Sequence, residues 1–314
     1  MLSRVAEAIY WSSRYVERAE NVARFIDVNM NLLLDSPIEQ KSGWDSLVMI
    51  TGDHELFAKR FGSKATPQLV TQFLTFDREY PNSIFSSVAS ARENARTVRD
   101  IISREMWQEL NEFYLMVGQA ARPDVNPEDL NDFYGRVKRA GIYFEGVTDA
   151  TLSRGEAWHF ARLGRLLERA DKTSRILDVK YFLLLPVQNG VGTTVDQLGW
   201  TALLNSASAL QMYRQLFHVT SPANVTSFLL LNQNFPRAIS YCVRQAQESL
   251  HAVMRSPIGT YQCEAERLLG QLRARLDYAT VDDVMAGGLH EYVDGLQGAI
   301  NDIGTAIHKQ FFQV

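Results

Sequence analysis

A phrase of thirteen residues occurs twice in this chain of 314 residues. Residues 16–28 read VERAENVARFIDV, and residues 167–179 read LERADKTSRILDV. Both copies contain a Glu-Arg pair, an Arg seven positions after the Glu, and an Asp-Val dipeptide that begins ten positions after it. Because chance rarely repeats such a pattern, the phrase predicts an internal duplication, with the second copy opening the second half of the chain.

Other segments match between the halves in the same order. They lie 155 or 156 positions apart: Trp44 and Trp200, Thr66-Pro67 and Ser221-Pro222, Pro81 and Pro236. A nearly constant offset favours two equivalent units. We therefore expect two tandem pseudo-repeats, residues 1–155 and 156–314, each with about five helices and both within one compact, bundle-like helical assembly.

Helical signals dominate the chain, and strand signals are nearly absent. A capping residue precedes a proline at Thr66-Pro67, Asn126-Pro127 and Ser221-Pro222, and Thr280 with Asp283 resembles a capping box. The sequence therefore predicts an all-α fold. We expect loops at residues 121–127 and 186–194 and helices near residues 3–34, 43–60, 67–76, 82–120, 127–178, 194–218, 222–231, 237–255, 260–278 and 281–312, with breaks within 82–120 and near 152–155.

Composition narrows the classes of function. The formal net charge of −4 argues against a general nucleic-acid binder. The two cysteines give neither a disulfide framework nor metal-ligand spacing. No signal peptide is evident at the N-terminus, and the longest apolar run, near residues 181–185, is too short to cross a bilayer. We expect a cytoplasmic protein with no membrane or nucleic-acid partner.

A helical wheel places the charged residues of each Glu-Arg phrase on one arc. The first arc contains Glu7, Tyr10, Arg14, Glu17, Arg18, Asn21 and Arg24, beside an apolar arc that includes Trp11 and Tyr15. The second arc contains Arg162, Arg165, Glu168, Arg169, Lys172 and Arg175. Three interpretations are open: a solvated face of weak ion pairs, a buried structural network, or a cationic site that binds a carboxylate or phosphate.

Two further candidates come from the Pro-initiated segments. Asn232, like Asp77 in the first half, lies four residues before a proline and could help to bind an anion at a helix N-terminus, where Asn82 or Arg237 could assist, although such residues more often only cap the helix. Glu93 and Glu248 are the acidic pair that survives comparison of the following segments. We therefore add Asn232, Glu93 and Glu248 to the candidate binding residues Arg14, Arg18, Asn21, Arg165, Arg169 and Lys172.

A metal site is the enzymatic alternative. Two Glu-x-x-His pairs, Glu156–His159 and Glu248–His251, resemble the ligand pairs of di-iron four-helix proteins. The two pairs occupy non-equivalent places in the repeat, and their first-half counterparts lack histidine. We therefore expect neither a metal nor another cofactor. A helical scaffold, in which the Glu-Arg pairs only hold helices together, is the third hypothesis.

The phrase MLSRVAEAIYWSSRYVERAENVARF, the second phrase LGRLLERADKTSRILDV and the segment NQNFPRAI together resemble the Alpha-E family of bacterial helical proteins, named for its ER motif. The resemblance covers essentially the whole chain. It maps the motif onto Glu17-Arg18 and Glu168-Arg169.

The resemblance implies a context more than a chemistry. Members of the family are encoded beside, or fused to, a circularly permuted ATP-grasp ligase, often with transglutaminase-like proteases or proteasome-like peptidases nearby. This implies a component of peptide- or amide-bond synthesis or modification that handles peptide-like or anionic small molecules. In that setting Glu17 and Glu168 are the candidate catalytic bases, or they orient the neighbouring arginines.

Overall fold

The computed structural model describes residues 1–35, 43–122, 130–184 and 194–313. These residues form fifteen α-helices and no β-strand, which confirms the predicted all-α fold. The helices of the first half are α1 (Ser3–Asp35), α2 (Gly43–Thr51), α3 (His54–Phe61), α4 (Pro67–Thr71), α5 (Ile84–Thr97), α6 (Arg104–Ala120) and α7 (Leu130–Thr151). Those of the second half are α8 (Glu156–Leu184), α9 (Thr194–Ser206), α10 (Leu210–Leu216), α11 (Pro222–Thr226), α12 (Ile239–Met254), α13 (Glu264–Asp277), α14 (Val281–Gly287) and α15 (Leu289–Ile307).

Most predicted starts and breaks are confirmed. The Thr66 hydroxyl accepts a hydrogen bond from the Leu69 amide at 3.3 Å, and the Ser221 hydroxyl accepts one from the Asn224 amide at 3.2 Å. Thr280 caps α14 in the same way. The break between α7 and α8 lies at residues 152–155, as predicted. The predicted cap at residues 126–127 and most of the two predicted loops lie outside the described residues.

Each half has more helices than the predicted five or so, because three predicted segments are interrupted. Gly52, Ser208 and Gly288 have positive φ angles of 78°, 50° and 92°. The left-handed region ends a right-handed helix, so residues 43–60, 194–218 and 281–312 each form two α-helices. Ser208 is a non-glycine residue in this region, and no sequence pattern indicated a break there.

Four helices in each half contact one another in a closed ring. In the first half α1 contacts α5, α5 contacts α6, α6 contacts α7, and α7 returns to α1. In the second half α8, α12, α13 and α15 contact one another in the same order. The two rings meet where α1 packs against α8. The predicted boundary between repeats at residues 155 and 156 stays a prediction.

Equivalent turns lead from α4 to α5 and from α11 to α12. A π-helical turn, Gln72–Phe76 or Ser227–Leu231, continues each short helix. An aromatic contact then closes the turn: Phe73 stacks on Tyr80 at 3.9 Å between ring centroids, and Phe228 lies 4.8 Å from Phe235. These turns place Asn82 and Arg237, each the residue after a proline, beside the α1–α8 contact.

The two central helices approach closely. A Cβ atom at Gly164 in α8 would lie 2.4 Å from the backbone oxygen of Tyr10 in α1, so only glycine fits at this position. Within the Glu-Arg phrase of α1 both helical arcs are buried: Ala19 and Ile26 are fully inaccessible, and Glu17 on the polar arc is 2% exposed. The interpretation of the polar arc as a solvated face is therefore wrong. None of the helices in the described part of the chain combines the length and the apolar character that a membrane span requires.

Candidate functional site at the junction of the two halves

The two Glu-Arg pairs exchange partners across the α1–α8 contact. Arg169 of α8 donates two hydrogen bonds to the carboxylate of Glu17, from Nε to Oε1 at 2.9 Å and from Nη2 to Oε2 at 2.7 Å. Arg18 of α1 donates two to Glu168, from Nε to Oε1 at 2.7 Å and from Nη2 to Oε2 at 3.0 Å. Each motif thus binds the other through a bidentate pair, the strongest geometry available to Arg and a carboxylate.

Further hydrogen-bond donors and cations surround each carboxylate. Glu17 Oε1 also accepts from Asn21 Nδ2 at 2.7 Å and from Arg237 Nη1 at 3.1 Å. Glu168 Oε2 accepts from Arg14 Nε at 2.9 Å, and Lys172 Nζ lies 3.6 Å from Glu168 Oε1. Both oxygens of both carboxylates are therefore engaged.

Two other repeated residues of each phrase pair within their own helix. Arg24 donates to Glu20 one turn earlier, and Arg175 donates to Asp171 at the equivalent positions. Arg237 also donates to Glu20.

The terminal aspartates of the phrase bind within their own halves. Asp27 of α1 forms an ion pair with Lys138 of α7, with 2.7 Å between Oδ2 and Nζ. Asp178 of α8 lies 2.6 Å from Nδ1 of His290 on α15. Each ties the first helix of its ring to the last, so the repeated acid has the same structural role in both halves.

Burial and charge set the protonation of the central carboxylates. Burial by itself raises the pKa of Glu17, but the guanidinium groups of Arg169 and Arg237 outweigh burial and hold this pKa below its usual range. For Glu168, burial is likewise outweighed, by Arg18, Lys172 and Arg14, and the pKa lies well below its usual range. Both groups are ionised at neutral pH and are weak proton acceptors.

The cluster has a surplus of positive charge. We define the ER cluster by its charged members: Arg14, Glu17, Arg18, Glu20, Arg24, Glu145, Arg165, Glu168, Arg169, Asp171, Lys172, Arg175 and Arg237. Eight of these side chains are basic and five are acidic. Uncompensated buried charge is costly, so such a surplus favours the binding of an additional anion.

The structure brings most of the predicted binding residues together. Arg14, Arg18, Asn21, Arg169 and Lys172 lie in or directly beside the central pairs. Arg165 lies at the edge of the cluster, 3.3 Å from Glu145 of α7, which also accepts from Arg169 at 2.8 Å. The buried Nε of Arg165 has no hydrogen-bond partner among the described residues.

Three predicted residues lie outside the cluster. The Asn232 side chain accepts from the amides of Asn234 and Phe235, both at 2.8 Å, and shapes its own turn. Glu93 is exposed and pairs with neighbouring arginines on α5. Glu248 pairs loosely with Arg162 at 3.7 Å. Whether any of the three binds a ligand stays a prediction.

The two Glu-x-x-His pairs are not assembled into one site. His251 lies 3.2 Å from Glu266, whereas Glu248 faces Arg162. Within the described ranges, no group of three or more His, Cys, Asp and Glu side chains is placed to share a metal ion. The di-metal hypothesis therefore has no geometric support in this part of the chain.

Sequence reasoning left Glu20, Glu145 and Asp171 out of the candidate residues. Glu20 and Asp171 were visible in the repeated phrase as the acid three positions after the Glu, and this signal could have found them. The sequence indicated Arg237 only as a residue that could assist anion binding after the proline, and not as a partner of Glu17. Glu145 lies on α7 outside every repeated segment, so no sequence signal pointed to it.

Comparison with known proteins places the chain in a family. Residues 1–312 match Alpha-E, described as a predicted alpha-helical domain with a conserved ER motif. The chain is 22% identical over 333 aligned residues to an uncharacterized protein of Mycobacterium bovis and to one of Mycobacterium tuberculosis. The alignment covers 97% of this chain and 36% of each relative, so the chain spans about a third of their length.

No solved structure matches the chain. The match over residues 1–312 includes both Glu-Arg pairs and both helical rings. The chain belongs to the Alpha-E family.

Proposed function

We propose that this chain is the helical component of a system that forms or modifies peptide-type amide bonds and that it works with an ATP-grasp carboxylate–amine ligase, with a transglutaminase-like protease as a further companion. The observation that carries the proposal is the positive surplus of the ER cluster. ATP-grasp ligases convert carboxylates to acyl phosphates and pass them to amines, so their substrates and intermediates are anionic. A cluster of eight basic side chains is suited to such ligands.

Access to the cluster is limited to its edge. The side chains of Arg14, Arg18 and Lys172 keep 13–14% of their surface exposed, whereas those of Glu17 and Glu168 keep 2% or less. In this proposal an anion contacts the cationic edge. Because Glu17 and Glu168 are saturated and strongly ionised, they serve the site by positioning the arginines. Their catalytic role stays a prediction.

The length of the relatives supports a modular function. Nearly two thirds of each mycobacterial relative lies outside the matched region. A helical unit that occurs within a longer polypeptide is suited to act on a substrate together with another domain, and this agrees with a ligase partner.

The test combines binding with ATP consumption. The chain is used as bait for an ATP-grasp ligase encoded near it, and ATP consumption by that ligase is measured with and without the chain. We expect co-purification and a change in ATP turnover. Lys172→Met should reduce the effect about tenfold while leaving the melting temperature nearly unchanged, because Lys172 lies at the edge of the cluster.

Arg96→Gln is the matched control, since Arg96 is an exposed basic residue on α5 outside the cluster. If the wild-type chain neither binds the ligase nor alters its ATP turnover, the proposal is refuted. The scaffold alternative is favoured by the reciprocal saturation of Glu17 and Glu168. It predicts that substitutions at the edge of the cluster do not weaken ligase binding, and that substitutions within the cluster only lower stability.

A further inference from the structure

A solvent-facing groove of about 450 Å³ lies over the N-terminal half of α1. Its lining residues come from three elements: Arg4, Glu7, Ala8, Trp11 and Tyr15 of α1, Asn94 and Thr97 of α5, and His308 after α15. The groove therefore lies between the two helical rings, with α1 as its floor. Its volume is in the range of small-molecule sites.

Two aromatic rings form the apolar part of the groove. Trp11 and Tyr15 lie 5.3 Å apart between centroids, with an angle of 31° between their planes. The sequence placed both on the apolar arc of α1, yet both are only partly buried. The same rings contact the ER cluster, because the guanidinium of Arg14 lies 4.9 Å from the Trp11 ring and that of Arg18 lies 5.4 Å from the Tyr15 ring. The rings are thus held in place from one side.

Charges of both signs lie beside these rings. The Arg4 side chain has no ion pair or hydrogen-bond partner among the described residues. Glu7, one turn further along α1, has only a loose contact with His308 at 3.9 Å, and both side chains are 40% or more exposed. An available guanidinium and an available carboxylate therefore lie next to an aromatic surface.

We propose that this groove binds a free amino acid or a short peptide with an aromatic or apolar side chain. The ligand carboxylate binds Arg4, the ligand ammonium binds Glu7, and its side chain packs on Trp11 and Tyr15. A polyphosphate or nucleic acid fits less well, because Glu7 repels a purely anionic ligand. The proposal stands on the chemistry of the groove and does not require the ligase.

The test is a calorimetric titration of the whole chain with three matched probes. These are the dipeptide phenylalanylglycine, its C-terminal amide and its N-acetyl form. We expect the free dipeptide to bind with a dissociation constant of about 1 mM or tighter, and each blocked form to bind about fivefold to tenfold more weakly.

Variants test which residue binds each charged group of the ligand. Arg4→Gln should abolish the preference for the free carboxylate over the amide, and Glu7→Gln should abolish the preference for the free amine over the N-acetyl form. Trp11→Leu should weaken all three probes. Arg96→Gln, an exposed substitution outside the groove, is the control and should change nothing. Circular dichroism verifies that each variant is folded.

Two results would overturn the proposal. One is the absence of binding heat with every probe at concentrations well above about 1 mM. The other is binding that neither Arg4→Gln nor Glu7→Gln alters, since this would place the ligand elsewhere. Either result leaves the ligase experiment unaffected, so the two proposals fail independently.

Discussion

The reciprocal Glu-Arg exchange predicts that the two central glutamates contribute unequally to stability. When Glu17 is replaced by Gln, its partners keep other carboxylates: Arg169 keeps Glu145 at 2.8 Å, and Arg237 keeps Glu20. When Glu168 is replaced by Gln, the hydrogen-bond partners that Arg14 and Arg18 keep among the described residues are neutral: the hydroxyl of Tyr10 and the side-chain oxygen of Asn82.

The magnitude follows from the cost of leaving a buried charge unpaired. Removal of one partner of a buried ion pair costs about 3–5 kcal/mol. We expect Glu17→Gln to lie near the lower limit, about 3 kcal/mol, and Glu168→Gln near the upper limit, about 5 kcal/mol. Glu93→Gln is the control, because Glu93 is 53% exposed in its ion pairs, and an exposed pair contributes about 0–1 kcal/mol.

Urea unfolding monitored by circular dichroism measures all three variants. The free energy of unfolding is obtained by linear extrapolation, with the slope compared between variants so that a change in the unfolded state is detected. The reasoning is refuted if Glu168→Gln is no more destabilising than Glu93→Gln. If Glu17→Gln costs more than Glu168→Gln, the secondary partners do not compensate and the assignment of unequal roles is wrong.

Three further outcomes are expected. Gly164→Ala should destabilise the protein by about 1–3 kcal/mol through overpacking against the backbone oxygen of Tyr10, whereas Gly146→Ala, which meets no atom within 4 Å, should be neutral or stabilising in thermal melts. Cys242 is buried, and burial raises its pKa to about 12, so this thiol should resist a thiol reagent such as DTNB until the chain unfolds. The pKa of Glu168 is lower in the folded chain than its ordinary value of 4.5, so the ionised carboxylate stabilises the fold above about pH 4.5. This stability is lost as the pH falls from there through the folded-state pKa. The urea midpoint should therefore fall steeply below about pH 4, and less steeply in Glu168→Gln.

Local signals in the sequence identified most helix starts but not the contacts between helices. Caps such as Thr66 and Ser221 predicted helix starts, because the hydrogen bond is made within four residues. The helical wheel placed Glu17 and Glu168 on polar arcs, because the arc depends only on helical geometry. It could not show that the arcs face each other, since the approach of α1 and α8 is set by packing between distant segments.

Matching positions in the repeat did not distinguish structural from exposed residues. Glu93 and Glu248 match between the halves, yet both are at the surface. Arg237 matches Asn82, and the two residues differ in charge, yet both contact the Glu-Arg pairs. Position in the fold is retained in the second case while residue identity is not, and a comparison of residue identities cannot detect this.

The exchange of partners at the junction explains where the halves agree and where they differ. In an isologous contact, residue i of one unit contacts residue j of the other and j contacts i, so both units need the same two residue types at the contact. Arg18 and Arg169 obey this rule, and so do Glu17 and Glu168.

Away from the junction this constraint disappears. At the offset of 151 residues between the two phrases, the counterparts of Trp11 and Tyr15 are Arg162 and Leu166, just before the second phrase. Arg162 is already paired with Glu248 and donates to Gln245, so the equivalent part of α8 offers neither the aromatic floor nor the available charges of the groove over α1. We therefore expect the dipeptide to bind at a stoichiometry of one per chain. A stoichiometry of two in the calorimetric titration would show that the halves are equivalent in binding as well as in arrangement, and would contradict the assignment of the ligand to Trp11.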